Sequence, residues 1–88
     1  YKVVASMRPG KYYQMSKPQR DYMGVWFYCD GMLKNGNFSG DLVEWFDDRR
    51  VPNKAIKKPL DAAWARSAWE EVSLQDLPVK VMARFQAS

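Results

Sequence analysis

Residues 22–29, Tyr-Met-Gly-Val-Trp-Phe-Tyr-Cys, constrain the fold more than any other stretch of this chain. Aromatic and β-branched side chains suit the pleated surface of a sheet, so the run is expected to be a strand. Asp30-Gly31 and Asn35-Gly36 follow it, and both are hairpin-type turn signals. The first is taken as the main reversal, with Met32–Lys34 as a short return strand. Upstream, Tyr1 to Arg8 alternates: Tyr1, Val3, Ala5 and Met7 lie on one face, and Pro9-Gly10 closes the segment. That pattern predicts a half-buried strand. Residues 9–21 carry no apolar periodicity and read as a loop.

Two helices are expected next. Asp41 can cap a helix, with Glu44 three residues on; Leu42, Val43, Trp45 and Phe46 then fill one arc and the acids the other. Pro52 ends it, because Val51 before a proline is pushed out of the helical region. A second helix is predicted from Pro59 to Val72, with Leu60, Trp64, Ala68 and Val72 close together on its wheel. Trp64 and Trp69 sit about 140° apart at the helical period, so a helix lying on a sheet buries one more easily than both. Val79, Val81, Ala83 and Phe85 alternate against Lys80, Met82 and Arg84, predicting a terminal strand. The expected class is α+β, a small antiparallel sheet of three to four strands with two helices packed on one face, in the order β-β-(β)-α-α-β. With 88 residues, the chain fits one domain, 1–88.

Several chemistries are closed by composition. There is no histidine, so no Ser-His-Asp triad, zincin motif or imidazole acid/base is available. The single cysteine, Cys29, supplies neither an internal disulfide nor a cysteine-rich zinc site. No cofactor or metal is expected. No apolar stretch approaches the ~20 residues of a membrane span, and no signal-peptide pattern opens the chain, so a cytoplasmic protein is expected. Asn37-Phe38-Ser39 matches a glycosylation sequon, a pattern common by chance. The chain starts at Tyr1 rather than methionine, which leaves the translated start open.

Charge is distributed unevenly. Residues 1–38 hold six basic and two acidic side chains, whereas residues 39–88 hold eight of each. Within the first part, Arg8, Lys11, Lys17 and Arg20 flank the Tyr12-Tyr13 pair with no acid among them. Cations for phosphates beside aromatic faces for bases are what a nucleic-acid-binding loop requires. A second acid-free segment carries Arg49, Arg50, Lys54, Lys57 and Lys58. If both lie on one side they make a continuous positive surface. The simpler account is a pair of solvated loops, and no RRM, KH, zinc-finger or helix-turn-helix signature argues otherwise.

Weaker signals in the chain have ordinary structural roles as competing explanations. Asp41, Glu44 and Asp48 would share a helix face and could in principle hold Mg²⁺, but a solvated face explains them as well. Gly31 to Gly36 has P-loop spacing without the Lys-Ser/Thr that grips phosphate and metal. Cys29, with Asp30 beside it, reads as a buried and unreactive thiol. A metal-independent ribonuclease could be assembled from Lys11, Tyr12, Tyr13, Arg20 and Arg84, though nothing in their spacing demands it. The expectation is a non-enzymatic interaction domain whose partner is DNA or RNA, bound by the basic, aromatic-lined segments. The alternative is a protein-directed regulator or inhibitor anchored by Trp64 or Trp69, since Trp, Tyr and Arg are typical interface hot spots. A terminal edge strand would also allow two copies to pair as a homodimer.

Overall fold

The aromatic run lies within an 11-residue strand at the centre of a five-stranded antiparallel sheet. The structure, a computed structural model, describes residues 6–16 and 21–87. Its strands are β1 (Tyr12–Met15), β2 (Tyr22–Met32), β3 (Phe38–Phe46), β4 (Ile56–Lys57) and β5 (Trp69–Val72), in spatial order β4-β3-β2-β1-β5. Helix α1 (Ala62–Ala68) joins β4 to β5. A single 3-10 turn, Leu74–Asp76, then leads to the C-terminal helix α2 (Val79–Ala87). Among the described residues no helix is long and apolar enough to cross a membrane.

Both faces of the sheet are covered. Alternation along β2 sends Val25, Phe27 and Cys29 to one side, where they pack with Tyr13, Leu42, Leu60, Trp69 and Ala65 of α1. Trp26 points the other way and packs with Val43, Leu77, and Val81 and Phe85 of α2, with Tyr28 and Tyr12 at the margin. The helices therefore lie on opposite faces, where the expectation was one shared face. The α+β class holds, but with five strands and the order β-β-β-β-α-β-α.

Each difference has a local cause. The expected helix at 41–51 is β3 and its following turn. A strand buried on both sides reads as a nearly continuous apolar run, so Leu42-Val43 and Trp45-Phe46 carry no clean period of two. The terminal strand at 79–85 is α2 instead. Leu77, Val81 and Phe85 are the buried positions, and a spacing of four satisfies both a strand and a helix. Val79 separates the two periods: alternation would bury it, yet it is 80% exposed. The helix expected over Pro59–Val72 stops at Ala68. Trp69–Val72 then pairs with β1 in the register Met15↔Trp69 to Tyr12↔Val72. That edge pairing overrides helix propensity and also makes residues 12–15 a strand within the expected loop.

The hairpin turns at Asn35-Gly36, not at Asp30-Gly31. Gly36 has φ +90°, its amide donates to the Leu33 carbonyl at 3.0 Å, and the Asn35 carboxamide oxygen accepts from the Asn37 amide at 3.0 Å. Asp30-Gly31 lies inside β2 at a register shift between Cys29 and Gly31, and Met32 ends that strand rather than opening a return. Of the expected strand at 1–8, residues 1–5 lie outside the described residues. Residues 6–8 are irregular, with Met7 buried in the α1-side core.

Gly40 shows how tightly β2 and β3 meet: a Cβ there would stand 1.9 Å from the Tyr28 carbonyl oxygen and 2.7 Å from Cζ of Phe27. The first neighbour is backbone and cannot turn aside. Gly40→Ala is therefore expected to cost about 3 kcal/mol or more of unfolding free energy. Gly31→Ala, with nothing within 4 Å of its Cβ position, should cost under about 1 kcal/mol. Urea denaturation of the two variants checks the contrast.

Candidate functional site

The basic residues are carried to opposite ends of the sheet. Arg8 and Lys11 flank the Pro9-Gly10 turn, where the Gly10 amide donates to the Cys29 carbonyl at 2.8 Å. Cys29 is level with Gly40, and Arg49-Arg50 follow the far end of β3 at Phe46. Six residues of strand separate those levels, or about 20 Å. The second basic segment is itself divided. Lys57 pairs with Asp41 in the β3–β4 ladder, and the Lys58 amide donates to the Gly40 carbonyl, both near the first end. Among the described residues, Arg8 and Lys11 of the first segment are therefore not continuous with Arg49 and Arg50 of the second. Lys17 and Arg20 lie outside the described residues.

The Tyr12-Tyr13 pair is separated as well. Adjacent strand residues face opposite sides, so Tyr13 is wholly buried, with its hydroxyl accepting from the Arg8 amide at 2.7 Å. Burial raises its pKa, and the phenol remains protonated. Tyr12 is half-buried on the α2 side, 4.9 Å from the Tyr28 ring and 5.2 Å from Phe85. The grouping of Lys11, Tyr12, Tyr13 and Arg84 around one phosphate is not assembled. Asp41 and Glu44 likewise face opposite sides of β3, so they do not share the face that a Mg²⁺ site would require. Among the described residues, no three acidic, histidine or cysteine side chains gather where a metal could be held. Cys29 is buried, and burial raises its thiol pKa.

Convergence occurs instead around Arg49-Arg50, through residues absent from the expected surface. On α2, Lys80 and Arg84 are one turn apart. The Lys80 amine donates to the Arg50 carbonyl at 2.8 Å and lies 5.9 Å from the Trp45 ring, while Arg84 Nε donates to the Pro52 carbonyl at 3.1 Å. Trp45 Nε1 donates to the Arg49 carbonyl at 2.9 Å, and the Arg49 guanidinium stands 5.2 Å from the Phe46 ring. With Arg50 and Lys54, both exposed in the same connector, five cations from two distant segments stand at this end of the sheet, and Lys80 lies beside the half-buried indole. The Lys80, Arg84 and Arg49 side chains bond to neutral oxygens, and among the described residues none of the five cations forms a salt bridge. Asp21, Asp47 and Asp48 border a separate depression on the Phe46 side of this end. The i, i+4 spacing of Lys80 and Arg84 was legible, but reading residues 79–85 as a strand hid its partner loop.

Lys57 differs from that group, because it forms a salt bridge with Asp30. The hydrogen bond from Lys57 is the main reason the Asp30 carboxyl is held below its ordinary range.

The other face carries a pocket of about 320 Å³ between the sheet and the start of α1. Its apolar wall includes Val25, Phe27, Leu42 and Leu60, and its mouth is lined by Tyr22, Glu44, Lys58, Asp61 and Trp64. The Tyr22 hydroxyl donates to Glu44 Oε2 at 3.1 Å, and Asp61 caps α1 by accepting from the Trp64 amide at 3.0 Å. The register shift between Tyr22 and Gly24 accompanies Tyr22 reaching Glu44 on this face. Of the two expected anchors, Trp64 is 43% exposed and stands edge-on to Trp69, which is 1% exposed and belongs to the core. Comparison with protein-family models, with curated proteins and with solved structures returned no match.

Two measurements test these placements. Trp69→Ala should cost about 3–5 kcal/mol of stability, whereas Trp64→Ala should cost about 1 kcal/mol or less. Asp30 has a lowered folded-state pKa, so its contribution is present above the ordinary aspartate range and is lost as pH falls through the lowered value. The stability gap between the native protein and Asp30→Asn, followed by denaturation from pH 7 downward, should therefore close in acid. A constant gap would mean that the ion pair contributes nothing.

Proposed function

We propose that this chain is a non-enzymatic interaction domain that binds nucleic acid through the end of the sheet that carries Arg49, Arg50, Lys54, Lys80, Arg84 and Trp45. One observation carries the reading: α2 folds Lys80 and Arg84 against the β3–β4 connector, gathering cations from segments about 30 residues apart with no salt bridge to an acid among the described residues. Charges held by neutral carbonyls remain available to phosphate oxygens, and each phosphate neutralised releases condensed counterions. The tethers also limit the side-chain freedom that binding would otherwise remove. Trp45, half-buried beside Lys80, offers an aromatic surface on which a base or sugar can stack. Arg8 and Lys11, about 20 Å away, then belong to a peripheral contact rather than to the centre.

Contacts to phosphates position a nucleic acid and carry no sequence information of their own. A protein-directed role would rest on Trp64, because Trp69 is unavailable to a partner.

Affinity for single- and double-stranded DNA and RNA, measured against salt, tests the proposal. Replacing Arg50 and Lys80 together by Gln should reduce the salt slope by about 1.4–1.8, while an Arg8/Lys11 pair of replacements should change it by less. Absence of binding to any of the four at low salt would overturn the reading. An unchanged slope in the Arg50/Lys80 variant would do the same.

A further inference from the structure

The pocket on the α1 face is distinct from the basic end of the sheet, and its chemistry is of the opposite sign. Its volume of about 320 Å³ is at the small end of ligand sites, enough for a single ring with a short stem. The walls are apolar and aromatic: Val25, Phe27 and Leu42 come from the sheet, Leu60 and Pro59 precede α1, and Trp64 forms the lip. Polar groups are confined to the mouth. Glu44 and Asp61 contribute two carboxylates, the exposed Lys58 one ammonium, and Tyr22 a hydroxyl.

The states of those groups determine what can enter. Desolvation raises the Tyr22 pKa first, and its hydrogen bond to Glu44 adds to the shift, so the phenol donates and the carboxylate accepts. That bond occupies Glu44 Oε2. Oε1 accepts no hydrogen bond from any described residue, and Asp61 has one oxygen engaged by its cap. A half-buried carboxylate oxygen beside aromatic rings matches a cationic donor, which gains a charge-assisted hydrogen bond and a ring face together. A carboxylate or phosphate in the same position would face two like charges against one mobile ammonium.

We infer that this pocket binds a monocation with a compact apolar or aromatic body, its ammonium or guanidinium head set on Glu44 and its body against Trp64 and Met15. The same chemistry is offered by a small aromatic amine and by an arginine side chain. Three probes distinguish the sources and test the sign: phenethylamine, N-acetyl-arginine methylamide and phenylacetate, each titrated while backbone amide resonances are followed.

Binding of either cation, with shifts centred on Tyr22, Glu44 and Trp64 and no comparable response to phenylacetate, is the expected result. Preference between the two cations identifies the source as a free amine or a partner's basic residue. Glu44→Gln keeps an acceptor for the Tyr22 hydroxyl while removing the charge, and should weaken the cation about tenfold without altering the fold. Trp64→Ala, at the exposed lip, gives a second and structurally mild reduction. Binding of phenylacetate as tightly as the amine, or no response to any probe at millimolar concentration, would overturn the inference. So would an affinity in Glu44→Gln within twofold of the native protein.

Discussion

Burial of β2 on both faces is the constraint from which the rest of the structure follows. A strand in the middle of a sheet exposes half of its side chains in each direction, and here neither direction faces water: Val25, Trp26, Phe27 and Cys29 are all buried. Two separate cores must then be built in a chain of 88 residues. Small chains have little interior, and large aromatic side chains fill it with few residues. Much of the aromatic content is used this way, with Tyr13, Phe27 and Trp69 on the α1 side and Trp26 and Phe85 on the α2 side. Aromatic abundance that suggested an interaction surface is in large part structural.

The same constraint decides where binding groups can stand. With both sheet faces covered, side chains open to a partner are restricted to the ends of the sheet, its edges and the outer surfaces of the helices. The cation group lies at one end, where α2 crosses the β3–β4 connector, and the pocket opens where α1 starts and leaves part of its face uncovered. Each site thus depends on a different helix. The sheet stands between the pocket and the α2 cations Lys80 and Arg84, whereas Arg49 lies over Phe46, whose ring packs on Tyr22 at the pocket mouth.

Legibility followed the chemistry of each segment. Tyr22–Cys29 could be read because β-branched and aromatic residues are concentrated there without a competing period. Residues 41–46 could not, because a doubly buried strand loses the alternation that distinguishes it from a helix. Residues 77–85 failed for the opposite reason: burial at every fourth position satisfies both periods, and the choice between them rests on the surroundings of Val79. Among candidate site residues, the exposure of Arg49, Arg50 and Lys54 was readable from loop composition. Their grouping with Lys80 and Arg84 required knowing that α2 is a helix and where it lies. Glu44 was visible only as one of several acids, since its partner Tyr22 is 22 residues away on a neighbouring strand.

The position of β5 has a consequence for how the sheet is completed. Strands β1 to β4 form a meander, each paired with its neighbour in sequence, but β5 returns to β1 and brings Gln14 and Glu70 together across 56 residues. The entropy of closing so long a loop must be met before its contacts contribute. Trp69 opens β5 and is among the largest fully buried side chains. The same short strand therefore both inserts Trp69 and covers the β1 edge. Until that strand docks, the α1-side core lacks a wall and β1 presents an open row of backbone donors and acceptors, the state in which this chain would be most prone to pair with another copy of itself.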